Sequence, residues 1–192
     1  MVIKKIIEAC SGLKMINEPK LEVIISFILS ANNGVPQIRG TLDNISRMFG
    51  KKVIFRDKEY YLFPSIEELS GASVDDFRTC KAGFRDKYLY EFISRVKNGL
   101  FDFDLINDMS SSDALSYLME NKGIGEKVAS CILLFGYHRF DVFPIDTWVK
   151  KYMKNKYNLD NVSDIRKFMF DKYSFNCGLA IQYVFHYSRN VK

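Results

Sequence analysis

The chain has 192 residues, of which 47% are apolar and 27% charged, with a formal net charge of +5. That length holds one domain, or two small lobes sharing a cleft, with enough apolar surface for a real core. Nothing in the composition reads as a disordered tail, and the mild positive charge suits a polyanion without establishing one. The opening MVIKK is not followed by a long apolar run ending in small residues, so no secretory leader is expected. The most apolar stretch, residues 23–31, is too short to span a bilayer. Cys10, Cys80, Cys131 and Cys177 are spaced too widely for a zinc, iron–sulfur or compact disulfide pattern. A reducing cytoplasm is the natural setting.

Helical periodicity dominates the chain. Pro19 stands where a first helical residue is tolerated, and LEVIISFILSA reads as a nearly all-apolar, buried helix. A second helix covers about residues 35–49 and stops at Gly50. KKVIFRDKEYYLFPS alternates around a charged turn, giving a short hairpin or an extended loop. Ser65 with Glu68, and Ser73 with Asp76, have the spacing of N-terminal caps for two short helices. A helix over about residues 86–98 is closed by Gly99. Residues 112–120 and 125–135 form a helix pair around the run NKGIGEKVASC. Three more helices start near Asp146, Ser163 and Asn176. With no sustained heptad and no internal repeat, the fold class is all-α.

In GIG, Gly123 closes one helix and Gly125 lets the next begin at close backbone approach. Amides at a new helix N-terminus are unpaired and face outward, which makes an anion site. A nucleic-acid phosphate fits it, in a sequence-blind contact. A plain connection between two helices fits the same glycines. Lys127 then sits in the first turn, where a cation is disfavoured by about 0.3–1 kcal/mol. A broken local rule is a reason to look for function. An amine is a nucleophile only when neutral, through desolvation or nearby positive charge. Cys131 lies four residues on and shares the helical face, so the two could line one pocket wall. A surface lysine paired with Glu126, above a structural cysteine, is the plainer account. Asp146, in FDVFPIDTWVKK, could cap the following helix and stay ionised by accepting backbone N–H bonds. Beside a neutral amine it could also orient the nucleophile and stabilise a cationic sugar. One carboxylate has acceptor sites enough for both.

A helix, a GIG hairpin with lysine two residues past its second glycine, and then an aspartate after a proline form an ordered set. It resembles the helix-hairpin-helix DNA glycosylases with lyase activity. GLKMINEPKLEVIISFILSANN, YYLFPSIEELS, KAGFRDKYL and FNCGLAIQYVFHYSR resemble successive signatures of the 8-oxoguanine branch, so the likeness runs from Gly12 to Arg189. The resemblance implies one glycosylase domain over residues 1–192, with helical lobes of about 20–110 and 111–192 around a basic cleft. It implies that Lys127 attacks the sugar C1′, expels the base and forms a Schiff base, with β-elimination nicking the strand and Asp146 assisting. Asn32 would fill the gap left by the flipped nucleotide, Arg85 would hydrogen-bond the orphaned cytosine, and Phe84 would wedge beside it. Gly123 and Gly125 would meet the DNA backbone. Cys131 and Phe185 would sandwich the base, with Gln182 in the same pocket.

Each role is physically sound. Extruding a base costs a few kcal/mol, and the hole must be plugged. An amide with donors and acceptors, an aromatic wedge and a guanidinium can do this. Stacking on a ring such as Phe185 is worth about 1–3 kcal/mol. The implied partner is duplex DNA containing a damaged base, met by a monomeric, cytoplasmic, DNA-associated repair enzyme that uses no membrane. No cofactor or metal is expected, because the nucleophile is an amine; hairpin carbonyls leave a cation site open.

Three places depart from the family pattern. About a dozen residues precede GLKMINEP, where the family has an antiparallel-sheet domain that helps separate oxidised guanine from guanine. Ile181 stands at the family's glutamine position, with Gln182 next. One residue turns a helix by about 100°, so either the alignment slips or the base edge is read otherwise. Gly34 and Gln37 stand where the family often has asparagine and arginine, and Arg39 is displaced by two positions. Selectivity for cytosine opposite the lesion is therefore expected to relax. The alternatives are a non-catalytic DNA-binding module derived from such a glycosylase, or a glycosylase for another damaged base.

Overall fold

The computed structural model describes residues 2–190. Helix α1 (Val2–Ala9) leads through an irregular stretch to α2 (Lys20–Leu29). Pro19 precedes α2 rather than opening it, with an extended ψ of 131°. Helix α2 is apolar nearly all round because it is core: Val23, Ile24, Ile25, Ile28 and Leu29 are buried, each such side chain worth about 1.5–3 kcal/mol. Helix α3 (Val35–Phe49) carries Pro36 in its first turn and stops at Gly50. The glycine there is not a left-handed cap, since its φ is −83°. A Cβ at Gly50 would collide with the Leu62 carbonyl oxygen, so the close approach of a neighbouring backbone demands glycine.

Strands β1 (Lys52–Phe55) and β2 (Lys58–Tyr61) form an antiparallel hairpin that pairs Lys52 with Tyr61 and Phe55 with Lys58. Its turn residues, Arg56 and Asp57, both have positive φ, the handedness that matches strand twist. This is the sole sheet among the described residues. Helices α4 (Ile66–Leu69) and α5 (Val74–Thr79) open on the reciprocal caps that the sequence spacing predicts. Ser65 and Glu68 exchange hydrogen bonds, and Ser73 and Asp76 repeat the arrangement. Then follow α6 (Asp86–Lys97), α7 (Leu105–Asp108), α8 (Ser111–Met119), α9 (Glu126–Gly136), α10 (Thr147–Tyr157), α11 (Val162–Tyr173) and α12 (Cys177–Asn190). The fold is all-α, and no described helix is long and apolar enough to cross a membrane.

Two main cores organise these helices. Phe77, Leu89, Phe92, Leu118 and Ile132 surround the buried face of α2. Phe143, Val149, Met153, Ile165, Met169 and Ile181 close a second core among α10, α11 and α12. A smaller cluster lays Ile6 and Cys10 of the N-terminal segment on Val184, with Trp148 and Tyr152 packed against them. At Gly178 the backbone N–H donates to the Phe140 carbonyl at 2.7 Å. A Cβ there would collide with the Val142 carbonyl and lie 3.0 Å from Leu134. Helix α12 therefore rests as near as its backbone permits on the segment that leads to Asp146.

Candidate active site

Residues 121–125 turn α8 into α9. The Ile124 N–H donates to the Asn121 carbonyl at 3.0 Å, and the Ile124 side chain is buried in the first core. Gly123 has φ +86°, and a Cβ there would lie 2.7 Å from the Tyr88 ring. Handedness and crowding both require glycine at that point. Gly125 differs. Its φ is −88°, and nothing lies within 4 Å of where its Cβ would be. No side chain caps this end of α9, so its first amides stay open to a ligand.

Lys127 follows at an exposed position. Glu126 does not pair with it; Glu126 binds Arg166 of α11 at 2.7 Å. Among the described residues the Lys127 ammonium enters no ion pair. Cys131, one turn further on the same face, is 4% exposed. Burial pushes its thiol up to about 11, with Lys127 opposing the rise and Asp146 adding to it. One sulfur thus lies within electrostatic reach of both the amine and the carboxylate. Asp146 caps α10, its Oδ1 accepting from the Val149 N–H at 2.8 Å, and its second oxygen accepts no hydrogen bond from a described residue.

The buried thiol has a pH signature. An unfolded cysteine ionises near 9, the folded Cys131 only near 11. Between those values the unfolded chain holds fewer protons, so stability should fall as pH rises through that window. Melting temperatures at about pH 8 and about pH 10 should drop less in Cys131→Ala than in the parent chain; equal drops would dismiss this thiol as a source.

The loop after α2 carries Asn32, in the left-handed region at φ +50°, a conformation asparagine tolerates. Asn33 is structural: its amide donates to the Leu29 carbonyl at 3.1 Å. The Asn32 side chain is exposed and makes no hydrogen bond to a described residue. Arg85 is 6% exposed. Its Nε donates to the Ala31 carbonyl at 2.9 Å, its Nη2 to the Ala31 and Asn32 carbonyls, and its Nη1 to the Ala82 carbonyl at 3.3 Å. The guanidinium therefore braces the Asn32 loop, and contact with a base would need some of these bonds released. Phe84 is 57% exposed. Its ring lies 4.2 Å from the Arg85 guanidinium and edge-on to Tyr88 at 6.3 Å. Tyr88 in turn packs on Gly123, so wedge, arginine and hairpin are mechanically joined.

Phe185 is half-buried on α12, with the Trp148 ring edge-on to it at 5.2 Å and 85°. Trp148 also stacks on Tyr152 at 5.6 Å. Ile181 is 2% exposed and faces the second core. Gln182, three residues before Phe185, is half-buried and lies on the same face of α12. Two neighbours escaped sequence reasoning. Phe135 continues the four-residue step from Lys127 through Cys131; with Phe27, Lys14, Met15 and Val23 it lines a pocket of about 270 Å³. Trp148 was detectable through its four-residue spacing to Tyr152. Among the described residues no three His, Cys, Asp or Glu side chains gather as a metal-ligand set.

No protein-family model matches the chain. A protein of Methanothermobacter thermautotrophicus named a probable N-glycosylase/DNA lyase is 30% identical over 178 residues, covering 82% of this chain and 57% of its own length. The apo crystal structure of Clostridium acetobutylicum 8-oxoguanine glycosylase/lyase superposes with a TM-score of 0.91 at 37% identity, over 97% of this chain and 66% of that one. The same enzyme bound to double-stranded DNA with cytosine opposite 8-oxoguanine gives 0.90 at 36% identity, over 98% and 66%. The chain thus spans less than two thirds of the length of each. The fold, the hairpin and these likenesses agree, and the chain belongs to the 8-oxoguanine branch of the helix-hairpin-helix DNA glycosylases.

Proposed function

We propose that this chain releases 8-oxoguanine from duplex DNA and cleaves the resulting abasic site, acting as one helix-hairpin-helix domain and as a monomer. One observation carries the reading: an amine with no ion-pair partner among the described residues and a helix-capping carboxylate both act electrostatically on the same buried sulfur, beside a hairpin whose helix N-terminus no side chain caps. The names of the archaeal and clostridial relatives support it.

DNA laid across α9 would place a phosphate on its open amides, with Gly125 leaving room for it. The same DNA would cover Lys127 and exclude water, which favours the neutral amine. Phe84 would enter the stack and Asn32 the vacated space, while Arg85 gives up carbonyl bonds to meet the orphaned base. The flipped purine would lie between Cys131 and Phe185, with Gln182 at its edge. Lys127 Nζ then bonds to C1′ as the bond from C1′ to the base breaks. That electron pair leaves with the base nitrogen, which takes up a proton. The free oxygen of Asp146 stabilises the cationic sugar. Ring opening gives the iminium, and loss of a C2′ proton expels the 3′ phosphate.

The test is incubation with labelled duplexes containing 8-oxoguanine opposite each base, following base release and strand nicking. Release with nicking is expected. A second reading, a DNA-binding module without catalysis, is favoured by Arg85 being engaged with carbonyls and by Ile181 being core; tight binding without release would establish it.

A further inference from the structure

We propose that Trp148 is a positioning residue of the base site: it fixes the ring plane of Phe185, and with it the slot a flipped purine enters. This rests on the activity proposed above. A half-buried phenyl ring is free to turn about its own axis unless a neighbour restrains it. The indole does so, edge-on at 85° and 5.2 Å, a geometry favoured by the ring quadrupoles. Trp148 is itself held. It stacks on Tyr152 at 18° and packs against Ile6, Cys10 and Val184.

The indole also belongs to the first turn of α10, two residues past Asp146. The bond from Val149 N–H to Asp146 fixes that turn. Carboxylate and base platform are thereby tied through one short segment, so the purine slot and the group that stabilises the sugar keep a fixed relation. Trp148 further lines a pocket of about 250 Å³ with Lys151, Tyr152, Asn155 and Ser188. Removing the indole therefore enlarges that pocket and takes away the edge-on contact that orients the Phe185 ring.

The experiment separates base capture from sugar chemistry. The full chain, Trp148→Ala and Trp148→Phe are given two duplexes in single-turnover reactions, one with 8-oxoguanine and one with a preformed abasic site. Trp148→Ala should release base about tenfold more slowly or worse, yet cleave the abasic site within about twofold of the parent. Trp148→Phe, which keeps an edge-on ring, should release base within about threefold. Unchanged base release, or equal loss on both duplexes, overturns the proposal. A measurement that needs no change at position 148 guards against misfolding. Trp148 is the chain's single tryptophan, so its emission in Lys127→Ala protein should shift more with lesion duplex than with undamaged duplex; identical emission also overturns it. A parent chain that releases no base refutes the activity itself, whatever the variants do.

Discussion

Lys127→Ala should leave no borohydride-trappable complex with lesion DNA and should slow base release about a thousandfold or more, while DNA binding changes little. In the proposed mechanism its nitrogen is the atom that bonds to the sugar, and Lys127 is the one amine that acts electrostatically on Cys131 together with Asp146 among the described residues. In the same proposal binding rests instead on the open amides of α9, on the exposed Phe84 and on the Asn32 loop. The same variant should be slightly more stable. A cation in the first turn of α9 opposes the helix dipole by about 0.3–1 kcal/mol, and alanine is the better helix former. Higher melting temperature with lost trapping is the pattern of a residue kept for chemistry at the expense of the fold. Trapping at the parent level would remove Lys127 from the mechanism; a lowered melting temperature would mean that the lysine stabilises the hairpin.

Gly123→Ala should be the most damaging small substitution in the hairpin. At φ +86° an L-residue is strained by about 1–2 kcal/mol. The added methyl also meets Tyr88 at 2.7 Å, at ring atoms near the side-chain root that cannot simply swing away. Overpacking of that kind adds about 1–3 kcal/mol. A total of about 2–5 kcal/mol would lower the melting temperature by roughly 4–20 °C for a chain of this size. Because Tyr88 also supports Phe84, binding to both damaged and undamaged duplexes should weaken. Gly125→Ala is the control, since no atom of the described chain lies within 4 Å of the new methyl. It should melt like the parent and lose DNA affinity alone. Equal melting temperatures for the parent and Gly123→Ala would disprove the packing account.

What the sequence made legible was local. Ser65, Ser73 and Asp146 announce helix starts because a cap and its amide partner lie three residues apart. Lys127 stood out for the same reason, as a charge in the wrong turn. What it concealed depends on distance along the chain. The carbonyl partners of Arg85 at Ala31 and Asn32 lie 54 and 53 residues upstream, so a base-reading arginine and a loop brace look alike in sequence. Gly50 reads as a helix stop, yet its necessity comes from the Leu62 backbone across the hairpin. Helix α7 has four residues and no side-chain cap, which leaves nothing for a pattern to catch. Ile181 breaks the family motif in sequence, and its burial in the second core supplies the reason.

The contact at Gly178 has a consequence for heat and for solvent. Leu134 of α9, the carbonyls before Asp146 and the root of the helix bearing Phe185 converge on that one glycine. Three groups that the proposed chemistry needs together thus share a seam too tight to loosen piecemeal. Deuterium should reach the Gly178 amide only by whole-molecule opening, and on warming the chain should keep the activity proposed for it until the temperature at which everything else comes apart.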